Sequence, residues 1–205
     1  VIVAQESLAK VPDNLDLADA AAAPTGVLTG TQLVELGIRP QPGDKVLITG
    51  AAGSTGRAAV MAALDAGAQV FAGVRPAVRA QIDDLPISGV LDLADDAALA
   101  AAGPFDAIGD TVGGAVAERL FACLKPDGVL ASIAVPPPEP PAGATQRFCS
   151  LTVTFDRARL ERFYREWANG LRHVSIAQRL SLEQVADAHR AMEQGGVGGK
   201  IILRP

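Results

Sequence analysis

Short apolar runs and helix-period stretches alternate along this chain, separated by small or proline-rich breaks. The clearest apolar run is Lys45-Val46-Leu47-Ile48-Thr49. It stops in Gly50-Ala51-Ala52-Gly53-Ser54-Thr55-Gly56-Arg57, and helix-compatible spacing follows at once from Ala58 to Leu64. A short apolar run bounded by turn residues predicts a buried strand, so this stretch reads as strand, tight turn and helix. Residues 67–75 predict a helix end and a second strand, completing a βαβ unit of about 30 residues. The alternation continues with a short helix at 76–84, a third strand at 89–92 and an alanine-rich helix at 95–102. A fourth strand is expected at 105–110, a helix at 113–123 and a fifth strand at 128–135. Strands alternating with helices imply α/β architecture: a doubly wound parallel sheet covered on both faces, with right-handed connections.

The flanks are less regular. Residues 1–4 are compatible with a strand, and 10–14 with a loop. Residues 16–23 predict a short helix stopped by Pro24, and 25–36 a second helix ending at Gly37. Residues 136–141 contain five prolines and can be neither helix nor central strand. They read as a loop at a strand's carboxyl end, either the rim of a site or a plain connector. Residues 147–155 predict a sixth strand, after which Asp156 caps a helix running to 168. Residues 174–180 predict another strand. Ser181-Leu182-Glu183-Gln184 is a capping-box pattern opening a helix to Gln194, and 200–203 is a terminal strand.

Composition narrows the function classes. With 49% hydrophobic and 20% charged residues the chain suits a globular protein with a sizeable core. The formal net charge of -5 argues against nucleic acid as a partner. No apolar run approaches the ~20 residues of a membrane helix, and no signal peptide is read. Cys123 and Cys149 lack metal-type spacing and suit a reducing, cytoplasmic setting. The chain opens on Val1 rather than Met, which reads as a piece of a longer protein.

The chemistry concentrates at the glycine-rich turn. Glycine lets backbone approach a pyrophosphate, and the following helix N-terminus offers unpaired N–H groups. Ala51 stands where the first glycine of G-x-G-x-x-G would be, while Gly53 and Gly56 fill the second and third places. Small-residue turns also join strands to helices for packing alone. An NAD site expects a carboxylate at the end of the second strand. Here that region reads Gly73-Val74-Arg75, with Arg79 beyond and no carboxylate until Asp83. A guanidinium pairs with a 2′-phosphate that an acid would repel, so NADP(H) is favoured over NAD(H). The alternative is that Arg75 and Arg79 are solvated surface residues.

Several stretches together resemble the medium-chain dehydrogenase/reductase superfamily, specifically its zinc-independent quinone oxidoreductase and enoyl reductase branch. They are Ala20 through Gly30, Gly43 through Gly53, Phe105-Asp106 through Gly114, Leu124 through Gly128, and Ala188 through Glu193 with Gly199 through Leu203. Their order covers nearly the whole chain. Ser54-Thr55 replaces the Gly-Val pair more usual there, and that turn alone looks as much like an atypical short-chain reductase.

The resemblance implies an NADP-binding Rossmann domain over residues 37–170, with 1–36 leading in. Residues 171–205 would be a tail belonging to a GroES-like catalytic domain, of which only remnant segments are present. Gly50, Ala52, Gly53, Ser54, Thr55 and Gly56 would surround the phosphates, and Arg75 and Arg79 the 2′-phosphate. Thr29 would sit near the nicotinamide. Asp110, Val112, Gly113, Ile133, Ala134 and Val135 would line the cleft. The substrate would be a quinone or an α,β-unsaturated carbonyl, and a homodimer would form through the edge strand near Leu151 and Phe155. A non-catalytic dinucleotide-binding module, or the enoyl reductase domain of a polyketide or fatty-acid synthase, are the alternatives. Two Cys and two His, His173 and His189, make no zinc site. His189, Tyr164 and Trp167 read as structural, and no catalytic acid is assigned.

Overall fold

Each strand of the central βαβ unit carries apolar residues on both faces, so its side chains must be covered from two sides. The computed structural model, which describes residues 2–205, shows that arrangement. Six parallel strands run in the order β3-β2-β1-β4-β5-β6. They are β1 (Lys45–Thr49), β2 (Gln69–Val74), β3 (Gly89–Asp92), β4 (Phe105–Asp110), β5 (Leu124–Ser132) and β6 (Arg147–Ser150). The direction of winding reverses between β1 and β4, the switch point where such sheets bind ligands.

Alternation along the strands sorts the core into two layers. Val46 and Ile48 of β1, Val70 and Ala72 of β2, and Val129 and Ala131 of β5 face one way. There they meet Ala59, Val60 and Ala63 of α3 (Ser54–Asp65) and the π-helical segment Leu33–Ile38. Leu47, Ile108 and Leu130 face the other way. They meet Leu99 of α4 (Asp96–Ala102) and Leu120 of α5 (Gly114–Leu120), with Phe105 and Phe121 filling the layer. Asp95 caps α4 by accepting the Ala98 N–H at 2.9 Å.

By its contacts the chain divides into two compact units. The sheet unit is Thr29–Val153, and the other joins residues up to Leu28 with Thr154–Pro205. In the second unit Asp16 caps α1 (Leu17–Ala20), accepting the Asp19 N–H at 3.0 Å. Arg179 of β7 (Ile176–Ser181) grips Asp19 through bonds of 2.8 and 2.7 Å, and Arg204 of β8 (Lys200–Arg204) reaches Asp16 at 3.2 Å. Tyr164, buried on α6 (Arg157–Ala168), donates to the Ala20 carbonyl at 3.1 Å. Ser181 and Gln184 form the expected capping box ahead of α7 (Val185–Gln194).

Several expected boundaries move. Pro24 opens α2 (Pro24–Gln32) instead of ending α1, because the first helical position needs no N–H. The helix expected to run to 36 gives way to the π-helical turn after Gln32, closed by Arg39 N–H to Val34 O at 2.8 Å. β5 begins at Leu124 and stops at Ser132, whose hydroxyl donates to Asp110 and accepts the Ala134 N–H. The sixth strand ends at Ser150, and 151–156 leave the sheet. Ile2–Ala4 is irregular, and Val1 lies outside the described residues.

Two devices set the switch point. The first is close approach. A Cβ on Gly56 would lie 2.1 Å from the Gly50 carbonyl oxygen, and one on Gly30 2.2 Å from that of Thr55. Bare backbone at these two positions lets α3 start against β1 and lets α2 rest on the first turn of α3.

The second device is a buried carboxylate. Asp110, at the end of β4, is fully buried with Thr49 and Ser132. It accepts the Thr49 hydroxyl at 2.8 Å and the Ser132 hydroxyl at 2.6 Å. It also accepts the N–H groups of Val112 and Gly113 at 3.1 Å each. Thr49 Oγ1 in turn accepts the Thr111 N–H at 2.9 Å, and Ser132 Oγ that of Ala134 at 3.1 Å. The ends of β1, β4 and β5 are thereby tied into one polar staple.

Two outcomes are expected in urea titration. Gly56→Ala or Gly30→Ala destabilises the fold by about 2–3 kcal/mol through overpacking against backbone, while Gly53→Ala, whose Cβ would meet only Gly50 O at 3.3 Å, changes it little. Asp110→Ala strands two buried hydroxyls and costs about 2–4 kcal/mol, with Asp110→Asn, which retains one acceptor oxygen, losing less.

Candidate functional site

The turn after β1 is built by Gly50, whose φ of 64° lies in the left-handed region, where glycine is favoured. This accounts for Ala51 in the motif. The tight-turn role has moved one residue earlier, and Ala51 is left to pack, fully buried, with its N–H on the Gly73 carbonyl at 3.3 Å. Gly53 donates to Gly50 O at 2.9 Å and precedes α3 without a side-chain cap. The N–H groups of Ser54, Thr55 and Gly56 are the first-turn donors that an α-helix leaves without intrahelical partners. Together with the helix dipole they form an anion-receptive end.

This end opens on a cleft of about 570 Å³ over the carboxyl ends of the strands. Gly50, Gly53, Ser54, Thr55 and Gly56 line it, as do Arg75, Val112 and Ile133. Arg75 follows β2 immediately, is exposed, and has no ion-pair partner among the described residues. Arg57, the last residue of the motif, donates to the Gln81 carbonyl at 3.1 Å and pairs with Asp84. It thus ties the 3-10 helix Pro76–Ile82 to α3.

The other expected site residues lie outside that lining. Ala52 is half-buried in the turn and packs on the core. Arg79 is exposed on the 3-10 helix, one turn past Arg75. Thr29 is half-buried beside Gly30, where α2 meets α3. Asp110 and Gly113 are occupied with each other, and Ala134 is bonded to Ser132. Val135 is 95% exposed at the start of the proline-rich loop. Asp110 therefore shapes the cleft from beneath its rim.

Sequence reasoning missed part of the cleft lining. That part includes Asp92, Leu93 and Ala94 at the end of β3 and Val116 and Arg119 on α5, whereas Thr111, which also lines the cleft, falls inside the stretch expected from Asp110 to Gly113. The signal for the first three was their place just past an apolar strand. For Val116 and Arg119 it was helical spacing, since residues three apart share a face.

Thiol chemistry does not mark this site. Cys123 is half-buried, and burial, helped by the Asp96 carboxylate, pushes its thiol upward from the ordinary cysteine value. That disfavours the nucleophilic thiolate. Among the described residues no three His, Cys, Asp or Glu side chains gather into a metal-binding group. His173 and His189 are exposed, and no helix among the described residues is long and apolar enough to cross a membrane.

Comparison with known proteins adds family to geometry. The sequence model described as zinc-binding dehydrogenase matches residues 88–203, more than half of the chain. Quinone oxidoreductase-like protein 2 of Rattus norvegicus is 40% identical over 70 residues, which are 34% of this chain and 19% of that protein. A highly reducing polyketide synthase of Sordaria araneosa is 31% identical over 134 residues, covering 60% of this chain and 4% of that protein. The solved quinone oxidoreductase of Coxiella burnetii superposes with a TM-score of 0.82 at 25% identity, over 96% of this chain and 63% of that one. The chain thus spans less than two thirds of each of these three relatives. With its Rossmann sheet and the glycine turn at the switch point, the chain belongs to the zinc-binding dehydrogenase family, within the medium-chain dehydrogenase/reductase superfamily.

Proposed function

We propose that this chain is the cofactor-holding part of a zinc-independent, NADPH-dependent reductase of quinones or α,β-unsaturated carbonyls. The observation that carries the reading is the uncapped start of α3 opening on the cleft, with Arg75, which has no ion-pair partner among the described residues, and no acid, at the end of β2. The residues fit a dinucleotide phosphate. The turn is stripped of Cβ atoms where backbone must come close, and its donor set is N–H groups and a guanidinium.

Bound there, the reduced nicotinamide would supply the hydride. The chain's own residues bind and orient. The first-turn N–H groups of α3 hold the diphosphate, and Arg75 and Arg79 read a 2′-phosphate. The Asp110 staple fixes Thr111 to Gly113 and Ala134, so the cleft is set before ligand arrives. Among the described residues the cleft presents hydroxyls from Ser54, Thr55 and Thr111 but no histidine or lysine to serve as proton donor. The 205-residue chain by itself should therefore bind coenzyme and turn over poorly.

The absence of a cysteine between Ala20 and Gly30, where zinc-dependent members keep a ligand, supports zinc independence. The synthase match favours a second reading, the enoyl reductase domain of a polyketide synthase. The open edge of β6, short of the expected span to Phe155, is the proposed homodimer seam.

In a fluorescence titration the chain is expected to bind NADPH more tightly than NADH. Arg75→Ala should raise the NADPH Kd about tenfold, the scale of one lost charge-assisted bond, and leave NADH unchanged. Equal affinities for the two coenzymes in the native chain would remove the NADP assignment.

A further inference from the structure

A second arginine lines the cleft and has no part in the reading so far. Arg119 lies on α5, three residues after Val116, and both border the cleft with Asp92, Leu93 and Ala94. β3, which ends at Asp92, is two strands away from β1. At ordinary strand spacing that is about 10 Å from the glycine turn. This wall therefore faces the part of a nucleotide that lies beyond its diphosphate.

The guanidinium of Arg119 is already held by two partners. Nη1 pairs with Asp96, and Nη2 donates to the Leu93 carbonyl at 3.0 Å. Both partners belong to the segment running from β3 into α4. Two of its five N–H donors are engaged in this way, whereas Arg75 has no ion-pair partner among the described residues. Held by those two bonds, the planar group also offers a face, and a guanidinium plane stacks well on an aromatic ring. Valines complete a slot suited to a flat, largely apolar group, since Val74, Val78 and Val116 line the same cleft.

We infer that Arg119 is the base-stacking residue of this cleft, its guanidinium fixed by Asp96 and Leu93 as a platform for the adenine of a dinucleotide. The inference rests on the proposed coenzyme reading. It assigns Arg119 a role in affinity shared by both coenzymes, whereas Arg75 discriminates between them.

The test is titration of the full-length protein with NADPH and with NADH, alongside melting temperatures. Arg119→Gln is expected to raise both Kd values by the same factor, about tenfold. Arg119→Lys keeps the charge but loses the plane, and should lose as much. Arg119→Tyr keeps a plane without the charge and should recover most of the affinity. Asp96→Ala releases the guanidinium and should give an intermediate loss. Wild-type affinity in Arg119→Lys, a loss confined to NADPH, or no loss in Arg119→Gln would each overturn the assignment while leaving the coenzyme reading intact. If Arg119→Gln does not fold, the Lys and Tyr variants decide by the same comparison. A native protein that binds neither coenzyme would overturn both.

Discussion

The buried carboxylate of Asp110 is the constraint on which the binding face depends. A carboxylate out of water is costly unless its oxygens are satisfied, and here two hydroxyls and two backbone N–H groups satisfy them. Because the donors come from three neighbouring strand ends, satisfying Asp110 also fixes where those strands stop. The turns that follow β4 and β5 inherit their course from that network. A half-satisfied version would be worse than an apolar one, so the staple forms as a unit.

Around this point the fold uses absence of side chain as a positioning device. Gly56 and Gly30 bring α3 against β1 and α2 against α3, at separations no Cβ would allow. The free donors at the start of α3 consequently stand at the switch point between β1 and β4. The irregular motif is also accounted for by backbone geometry. Positive φ falls on Gly50, so Ala51 is free to be a core residue. The family match and the geometry converge on a dinucleotide-type cleft, and the charges on its walls divide the proposed work. Arg75 has no ion-pair partner among the described residues, while Arg119 is held by Asp96 and Leu93.

Much of the sheet unit was legible because buried parallel strands announce themselves as apolar runs. β1, β2, β3 and β4 fall within the expected spans, and Asp156 and Ser181 cap helices as read. The errors share one cause. Pro24, Gln32, Ser132 and Ser150 sit at element ends, where side-chain bonds or a neighbouring element decide whether the backbone continues. Local pattern carries no information about those partners. Cleft residues such as Gly53, Ser54 and Arg75 were readable because their chemistry is contiguous with a strand end. Asp92 and Arg119 were not, since one follows a different strand and the other sits on a helix whose cleft-facing side only packing selects.

The order of apolar runs, small-residue turns and caps by itself determined an α/β doubly wound domain with an anion-receptive turn, because period and turn chemistry are local properties. Tertiary structure alone decided which residues share the cleft, that Asp110 serves beneath the rim, and which cleft arginine pairs with a carboxylate. Those outcomes depend on hydrogen-bond partners some 20 to 60 positions away, as between Thr49, Asp110 and Ser132 or between Leu93 and Arg119, and only folding brings such groups within reach.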